Sequence, residues 1–144
     1  MTNQRLTAEI AALEFGFPKR YVMQNIGSDY AYVDLGLKTN SGRTYRLKIV
    51  LGDFPYEKPD VFIIYPTDLK DYDGRLLTDY GTSISMHLLN PDEHGNIQIC
   101  HYSNDDWHSN VTIYKVALKC LVWLNALDGH LRTGQPMDYF LKHQ

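Results

Sequence analysis

The two cysteines of the chain, Cys100 and Cys120, lie in sequence surroundings that predict different chemistry. Cys120 belongs to an apolar series that starts at Ile113 and recurs at i, i+3, i+4, i+7, i+8 and i+11. That spacing predicts a helix with Cys120 on its buried stripe, where a cysteine behaves as a small hydrophobe. Cys100 lies in a stretch without a sustained period, and such loops keep reactive side chains accessible. Because the thiolate is both a nucleophile and a metal ligand, Cys100 is the candidate for covalent or metal chemistry.

Four histidines surround Cys100 at seven-residue intervals, which raises the question of a metal site. They are His87, His94, His101 and His108. A structural zinc site usually takes four nitrogen or sulfur ligands at tight paired spacings such as Cys-x-x-Cys, which this pattern does not supply. The His-x-Glu and Pro-Cys-x-x-Cys signature of the zinc deaminases is also absent. No metal or other cofactor is therefore expected, although a small metalloprotein stays an alternative.

Hydrophobic periodicity predicts the elements that must position Cys100. The apolar face of a first helix, stopped by Gly16 and Pro18, consists of Leu6, Ile10, Leu13 and Phe17. Two strands with period two follow, and their buried faces consist of Ala31, Val33, Leu35 and Leu37 in the first and Tyr45, Leu47, Ile49 and Leu51 in the second. The apolar run Val61–Tyr65 predicts a strand that is buried on both sides. An N-terminal helix followed by an antiparallel four-strand meander is the natural assembly.

The region from Thr67 to Asn110 shows no period, but it contains enough apolar residues to be an ordered loop. A long helix follows, with Ser109 or Asn110 as its cap and Gly129 near its end. A short last helix is predicted from Pro136 toward His143. Residues 1–144 therefore predict one α+β domain with an N-terminal helix, a meander, an ordered active-site loop, a long C-terminal helix and a short one.

Composition excludes several classes of protein. The 144 residues include 14 basic and 17 acidic side chains, a net charge of −3, which disfavours a sequence-nonspecific nucleic-acid binder. No apolar run is long enough to span a bilayer, and the first residues do not form a secretory signal, so no membrane partner is expected. Two cysteines make no disulfide framework, and the expected compartment is the cytoplasm.

Several short motifs follow one another in a fixed order around Cys100. They are Phe-Pro-Tyr-Glu-Lys-Pro at 54–59, Pro91, the pair Ile99-Cys100, Trp107 and the pair Thr112-Ile113. In this order the chain resembles the ubiquitin-conjugating enzyme family; the resemblance covers nearly the whole chain, and residues 43–124 carry most of it. That resemblance implies the fold of the family and an acyl-accepting role for Cys100.

The chain departs from the family at its His-Pro-Asn triplet, where it has Asn90-Pro91-Asp92. In the family the asparagine supports the loop and the oxyanion of the transfer step, but an ionised Asp92 cannot donate a hydrogen bond to an oxyanion. That work is then expected to fall to Asn90, His94, a backbone N–H or His101, with His94 the first side chain to test. Cys100, His94 and Asn90 are accordingly the predicted catalytic residues.

These departures, together with the segment Trp123–Gly134, are similar to divergent bacterial relatives of the family. Many of those relatives are encoded in antiphage islands, including CBASS systems, where a cGAS-like nucleotidyltransferase is joined to a target. The resemblance implies that Cys100 takes the C-terminal carbonyl of a ubiquitin-like or cGAS-like carrier from an activating enzyme as a thioester. An amine or another nucleophile of an acceptor protein then attacks that thioester.

Two other functions remain open besides the metalloprotein. A non-catalytic module on the same fold would bind a ubiquitin-like tail or another partner without chemistry. A thiol protease would need a histidine delivered to Cys100; His130 is late enough in the chain, but nothing around it resembles such a site. The presence of Cys100 favours the transferase.

Overall fold

The computed structural model describes residues 1–141 and confirms the α+β class. In chain order its elements are α1 (Asn3–Gly16), β1 (Tyr21–Gln24), β2 (Tyr32–Lys38), β3 (Thr44–Val50), β4 (Val61–Tyr65), a 3₁₀ turn (Leu77–Tyr80), β5 (Leu88–Leu89), β6 (Gln98–Ile99), α2 (Ile113–Thr133) and α3 (Met137–Leu141). None of the helices in this part of the chain combines the length and the apolar character needed to cross a membrane.

The sheet has six antiparallel strands in the order β1-β2-β3-β4-β6-β5. Its first four strands form the predicted meander, but the predicted number of four strands is wrong. The additional strands β5 and β6 form a hairpin that joins β4 through the single pair Phe62↔Gln98. Each of them has only two residues, which is too short to show alternation in the sequence.

The predicted buried faces of β2 and β3 are confirmed. Their side chains are at most 7 % exposed and form one side of the core together with α2. The opposite face carries Arg46, which is paired with Asp34 across the strands, and Lys48. In β4 the alternate residues Phe62 and Ile64 are only half-buried, so this strand is buried on one side rather than on both.

Helix α1 packs on the start of α2 partly through polar groups. Leu13 and Phe17 are buried as predicted, whereas Ile10 is 37 % exposed and Glu9 takes a buried place instead. The Glu9 Oε1 atom accepts the N–H of Ile113 at 2.9 Å, while Arg5 donates to two carbonyls in the segment just before α2. Glu9 therefore satisfies a backbone donor at the beginning of α2 that would otherwise be buried without a partner.

Helix α2 differs from its predicted bounds at both ends. Its cap is Thr112, whose hydroxyl accepts the N–H of Lys115 at 3.0 Å, rather than Ser109 or Asn110. It continues past Gly129 to Thr133 and is capped by Gly134, which has a left-handed φ of 76°.

Gly129 lies inside α2, and the ring of Phe140 in α3 packs directly on it. A Cβ at position 129 would lie 2.6 Å from that ring, closer than real contacts allow. Gly129 therefore lets α3 lie close against α2. The part of the predicted last helix that extends to His143 lies outside the described residues.

Candidate functional site

The hairpin β5–β6 sets the position of Cys100. Its register pairs Leu88 with Ile99, and continuing that register brings His87 opposite Cys100. The N–H of Cys100 donates to the carbonyl of His87 at 3.0 Å. Directly opposite residues of an antiparallel pair have neighbouring side chains. His87 and Cys100 are therefore neighbours at the open end of the hairpin, where its two arms enter and leave.

A cavity of about 110 Å³ lies beside Cys100 and contains its half-buried side chain. It is lined by His87, Cys100, His101, Lys119, Trp123 and Leu141, which come from the hairpin arms, α2 and α3. This volume corresponds to roughly four water molecules. It can admit the slim end of an extended chain but not a folded surface.

The imidazole of His87 is fixed by a carboxylate from α3. Its Nε2 atom lies 2.6 Å from Oδ1 of Asp138, which is 51 residues later in the chain. Because an ionised carboxylate only accepts, Nε2 carries a proton, and in the neutral form of the ring Nδ1 has the lone pair. His87 also has a left-handed backbone with a φ of 54°, a conformation that costs about 1 kcal/mol or more for a residue other than glycine. The bonds to Cys100 and Asp138 hold this conformation.

His101 is a structural anchor on the other side of Cys100. Its Nε2 lies 2.7 Å from the carbonyl oxygen of Pro59, and its buried Nδ1 has no hydrogen-bond partner among residues 1–141. Burial lowers the pKa of His101 to about 4, and the positive charges of Lys58 and Lys119 act in the same direction. The ring is therefore neutral near pH 7, and it ties the segment that carries Cys100 to the turn at Pro59.

The segment after Cys100 is ordered by aromatic packing and by two long-range hydrogen bonds. The ring of Tyr102 packs edge-on against Trp107 with the centroids 5.7 Å apart, and the ammonium of Lys119 lies 5.1 Å from the Tyr102 centroid. Lys58 donates to the carbonyl of Tyr102 at 2.6 Å, and the indole of Trp107 donates to the carbonyl of Pro55 at 3.1 Å. Trp107 is thus the packing anchor of this loop.

The second cysteine lies in the core, on helix α2. Cys120 is fully buried, and burial raises the pKa of its thiol. Trp123, on the same helix, is buried too, and its indole N–H donates to the carbonyl of Met86 at 3.0 Å. The predicted core positions of Cys120 and Trp123 are confirmed, and Trp123 joins α2 to the residue just before His87.

Asn90 and His94, the other predicted catalytic residues, do not line the cavity with Cys100. Asn90 lies three residues beyond His87, about 10 Å farther along an extended strand. His94 lies at the tip of the hairpin, where its side chain is 74 % exposed and its Nε2 is 3.5 Å from a carboxylate oxygen of Glu93. The structure brings His87, rather than Asn90 or His94, to Cys100.

Asp92 closes the turn at the tip of the hairpin. Its Oδ1 accepts the N–H groups of His94 and Asn96, both at 2.9 Å, and its Oδ2 accepts the side-chain amide of Asn96 at 3.0 Å. Burial by itself would raise the pKa of Asp92, but these hydrogen bonds outweigh it and lower the pKa. Both carboxylate oxygens are therefore engaged within the turn.

The sequence contains a weak signal for the residues that were missed. Apolar pairs at Leu88-Leu89 and around Ile99 flank turn-forming residues, which is the pattern of a hairpin, and its register would have placed His87 beside Cys100. Asp138 and Lys119 have no such signal, because only tertiary packing brings their helices to the cavity.

No group of three or more histidine, cysteine, aspartate or glutamate side chains within residues 1–141 is arranged to hold a metal ion. No protein-family model, curated protein or solved structure matches this chain. The likeness to ubiquitin-conjugating enzymes therefore rests on the ordered motifs of the sequence alone.

Proposed function

We propose that the protein is a ubiquitin-conjugating-like transferase that carries its cargo as a thioester on Cys100. The cargo is the C-terminus of a ubiquitin-like or cGAS-like nucleotidyltransferase protein, delivered by an activating enzyme and passed to an acceptor protein. The observation that carries the proposal is the half-buried Cys100 thiol at a small cavity, beside His87 and Lys119. The fully buried Cys120 offers no comparable site.

The proposed reaction has two balanced steps. In loading, the Cys100 thiolate attacks the thioester carbonyl of the activated carrier; a new C–S bond forms, the old C–S bond breaks, and the thiolate of the activating enzyme leaves. In discharge, an amine attacks the Cys100 thioester; a C–N bond forms, the C–S bond breaks, and the proton that the amine loses ends on the Cys100 sulfur. A thiolate is a good leaving group, so one hard acylation becomes two easier steps.

The cavity fits this reaction in size and in charge. A space of about 110 Å³ favours a tail that ends in glycine, because the reacting residue then has no side chain to accommodate. Both steps pass through a tetrahedral oxyanion, which needs nearby positive charge or hydrogen-bond donors. Lys119 is one of the residues that line the cavity, and its ammonium, 5.1 Å from the centroid of the Tyr102 ring, can contribute positive charge in place of the asparagine that the family uses.

The biological setting follows from the sequence resemblance alone. The similarity to divergent bacterial relatives supports a role in antiphage defence of the CBASS type, in the bacterial cytoplasm. The proposed partners are an activating enzyme, the carrier and the acceptor protein, without direct binding to nucleic acid or membrane. The net charge of −3 is consistent with this set of partners.

A glycine-terminated peptide thioester tests the activity without the natural carrier or activating enzyme. The protein is incubated with this probe, intact mass is recorded, and free lysine is then added to the loaded protein. We expect one adduct on Cys100 that a thiol reductant removes, and discharge to lysine at least about tenfold faster than from a synthetic peptide of residues 97–103. Cys120→Ala should load normally and Cys100→Ser should not form the reductant-sensitive adduct.

Two results would overturn the proposal. They are the absence of a Cys100 adduct, and a discharge no faster than that of the loaded peptide. The position of Asp92 favours one competing function, a binding module without chemistry, because its oxygens are engaged in a turn instead of supporting an oxyanion. Such a module would bind the corresponding peptide carboxylate but would not accelerate discharge.

A further inference from the structure

The discharge step needs a group that takes the proton from the attacking nucleophile, and the structure offers one beside Cys100. We infer that His87 is the general base of this step, with Asp138 as its positioning residue; this inference rests on the proposed function. Neither residue belongs to the motifs through which the sequence resembles ubiquitin-conjugating enzymes. The site would then contain a cysteine, a histidine and a carboxylate from three separate positions in the chain.

The geometry of the pair is that of an oriented base. Asp138 holds Nε2–H of His87 at 2.6 Å, which fixes the ring and its tautomer and leaves Nδ1 as the atom that can accept a proton. His87 lines the same cavity as Cys100, and their backbones are joined by the hydrogen bond at 3.0 Å. A nucleophile that reaches a thioester on Cys100 through this cavity therefore enters a space that His87 also lines.

The surrounding charges agree with this role. The titratable groups around the cavity are His87, Cys100 and His101 from the hairpin arms, Lys119 from α2, and Asp138 from α3. Lys119 opposes a second positive charge in the cavity, whereas Asp138 stabilises an imidazolium on His87 once it accepts the proton.

The other histidines near Cys100 are unsuited to the task. His101 has Nε2 engaged with Pro59, and its Nδ1 is enclosed in the protein. His94 is at the opposite end of the hairpin and exposed to solvent. His87 is the histidine that combines contact with the cavity, an oriented ring and an available nitrogen.

In the inferred step, the neutral nitrogen or oxygen of the nucleophile attacks the thioester carbonyl. Its proton moves to Nδ1 of His87, the C–S bond breaks, and the Cys100 thiolate leaves. The imidazolium then returns its proton to the thiolate or to water, and the enzyme is ready for another load. An oriented base also assists hydroxyl nucleophiles, which need proton removal during attack more than a free amine does.

The pH dependence of discharge from preloaded Cys100 tests the inference. The variants are His87→Asn, which tolerates a left-handed backbone, and Asp138→Asn, with His108→Asn and Asp68→Asn as exposed matched controls. We expect His87→Asn to slow discharge at neutral pH about 100-fold and to remove the limb of the pH–rate profile that reports an imidazole. Asp138→Asn should slow it about tenfold, and both controls should stay within about twofold of the wild type.

The outcomes separate this inference from the proposed function. Fast discharge from wild type together with an unchanged pH profile in His87→Asn would overturn the role of His87 and leave the transferase intact. Failure of the wild type to load or to accelerate discharge would overturn both. Urea unfolding and the alkylation rate of Cys100 report whether His87→Asn folds. If this variant does not fold, a wild-type discharge rate and pH–rate profile in Asp138→Asn would refute the inferred roles of His87 and Asp138.

Discussion

The two ends of the β5–β6 hairpin each carry a histidine next to a carboxylate, but their surroundings differ. At the open end, Nε2 of His87 is 2.6 Å from Oδ1 of Asp138; His87 is 35 % exposed and lines the cavity with Cys100, while Asp138 is 66 % exposed. At the tip, His94 is 3.5 Å from Glu93, and both side chains are more than 70 % exposed. The first pair joins the hairpin to α3, whereas the second involves neighbours in sequence.

This difference shows why residue type and sequence distance from Cys100 are poor guides to the site. The pair at the tip has both partners exposed, so solvent screens it and it contributes little to orientation, whereas at the open end His87 is the more buried partner. A pair formed between two elements fixes a ring against a cavity, where a fixed orientation matters for proton transfer. Four predictions test the contrast, in order of decreasing effect.

The largest expected effect is the difference in reactivity between the two thiols. Cys100 should react with iodoacetamide in the native protein, whereas Cys120 should react at least about 1,000-fold more slowly because it must await unfolding. Mass spectrometry of a time course gives both rates. Cys120→Ala should keep the fast phase of alkylation, and Cys100→Ser should lose it. If both thiols of the wild type reacted slowly, the open end of the hairpin would be closed to reagents, contrary to this prediction.

Acid should destabilise the open end through His101. The pKa of this buried histidine falls from 6.5 to about 4 in the folded state, so the unfolded chain binds the proton more tightly. The free energy of unfolding should therefore be fully retained above pH 6.5 and lose about 2 to 3 kcal/mol as the pH falls toward 4. Urea titrations of wild type and His101→Gln, which keeps a donor for Pro59 without titrating, isolate this contribution. Parallel pH curves for the two proteins would contradict it.

At the tip, Asp92→Ala should lower the free energy of unfolding by about 1 to 2 kcal/mol, because three donors lose their acceptor. The alkylation rate of Cys100 should change less than about twofold, since the two ends of the hairpin are held by different contacts. Asp92→Asn, which keeps an acceptor oxygen, is the milder control. Because the pKa of Asp92 is lowered, its contribution should persist at neutral pH and fade as the pH falls below the usual range of an aspartate. A large increase in alkylation would show that the ends are coupled.

The smallest expected effect concerns Asn90 and His94, for which sequence and geometry make opposite predictions. The sequence resemblance assigns both to the transfer step, whereas neither lines the cavity. Geometry predicts that Asn90→Ala and His94→Ala change the discharge of the peptide probe by less than about twofold. A tenfold loss in either variant would restore the assignment made from the sequence.

Periodicity predicted the parts of the fold whose residues repeat along one element. The helical stripe containing Cys120 and the alternating faces of β2 and β3 are such patterns, and the structure confirms their burial. The two-residue strands escaped detection, because a strand of that length has no period. Periodicity places Ile10 in the core, but Glu9 takes the buried place, and the pattern does not show that Glu9 accepts a bond from Ile113 in another helix.

Within the candidate site, the sequence identified the cysteine but not its neighbours. Cys100 stood out because its segment lacked a period, whereas His87 was considered only as one of four histidines around it. The link between His87 and Asp138 spans 51 residues and depends on how α3 folds back. The contact between His87 and Asp138 arises from tertiary packing, so no local pattern in the sequence predicts it.

Gly129 gives the candidate site a remote determinant. The Phe140 ring occupies the space where a Cβ would be, and Phe140 shares its helix with Asp138 and Leu141. The width of the cavity mouth and the reach of the carboxylate are thus set from a residue that touches neither the thiol nor the imidazole. Among homologous chains, a larger residue at position 129 should accompany a smaller one at position 140, so that α3, which carries Asp138, still packs in the same place against α2.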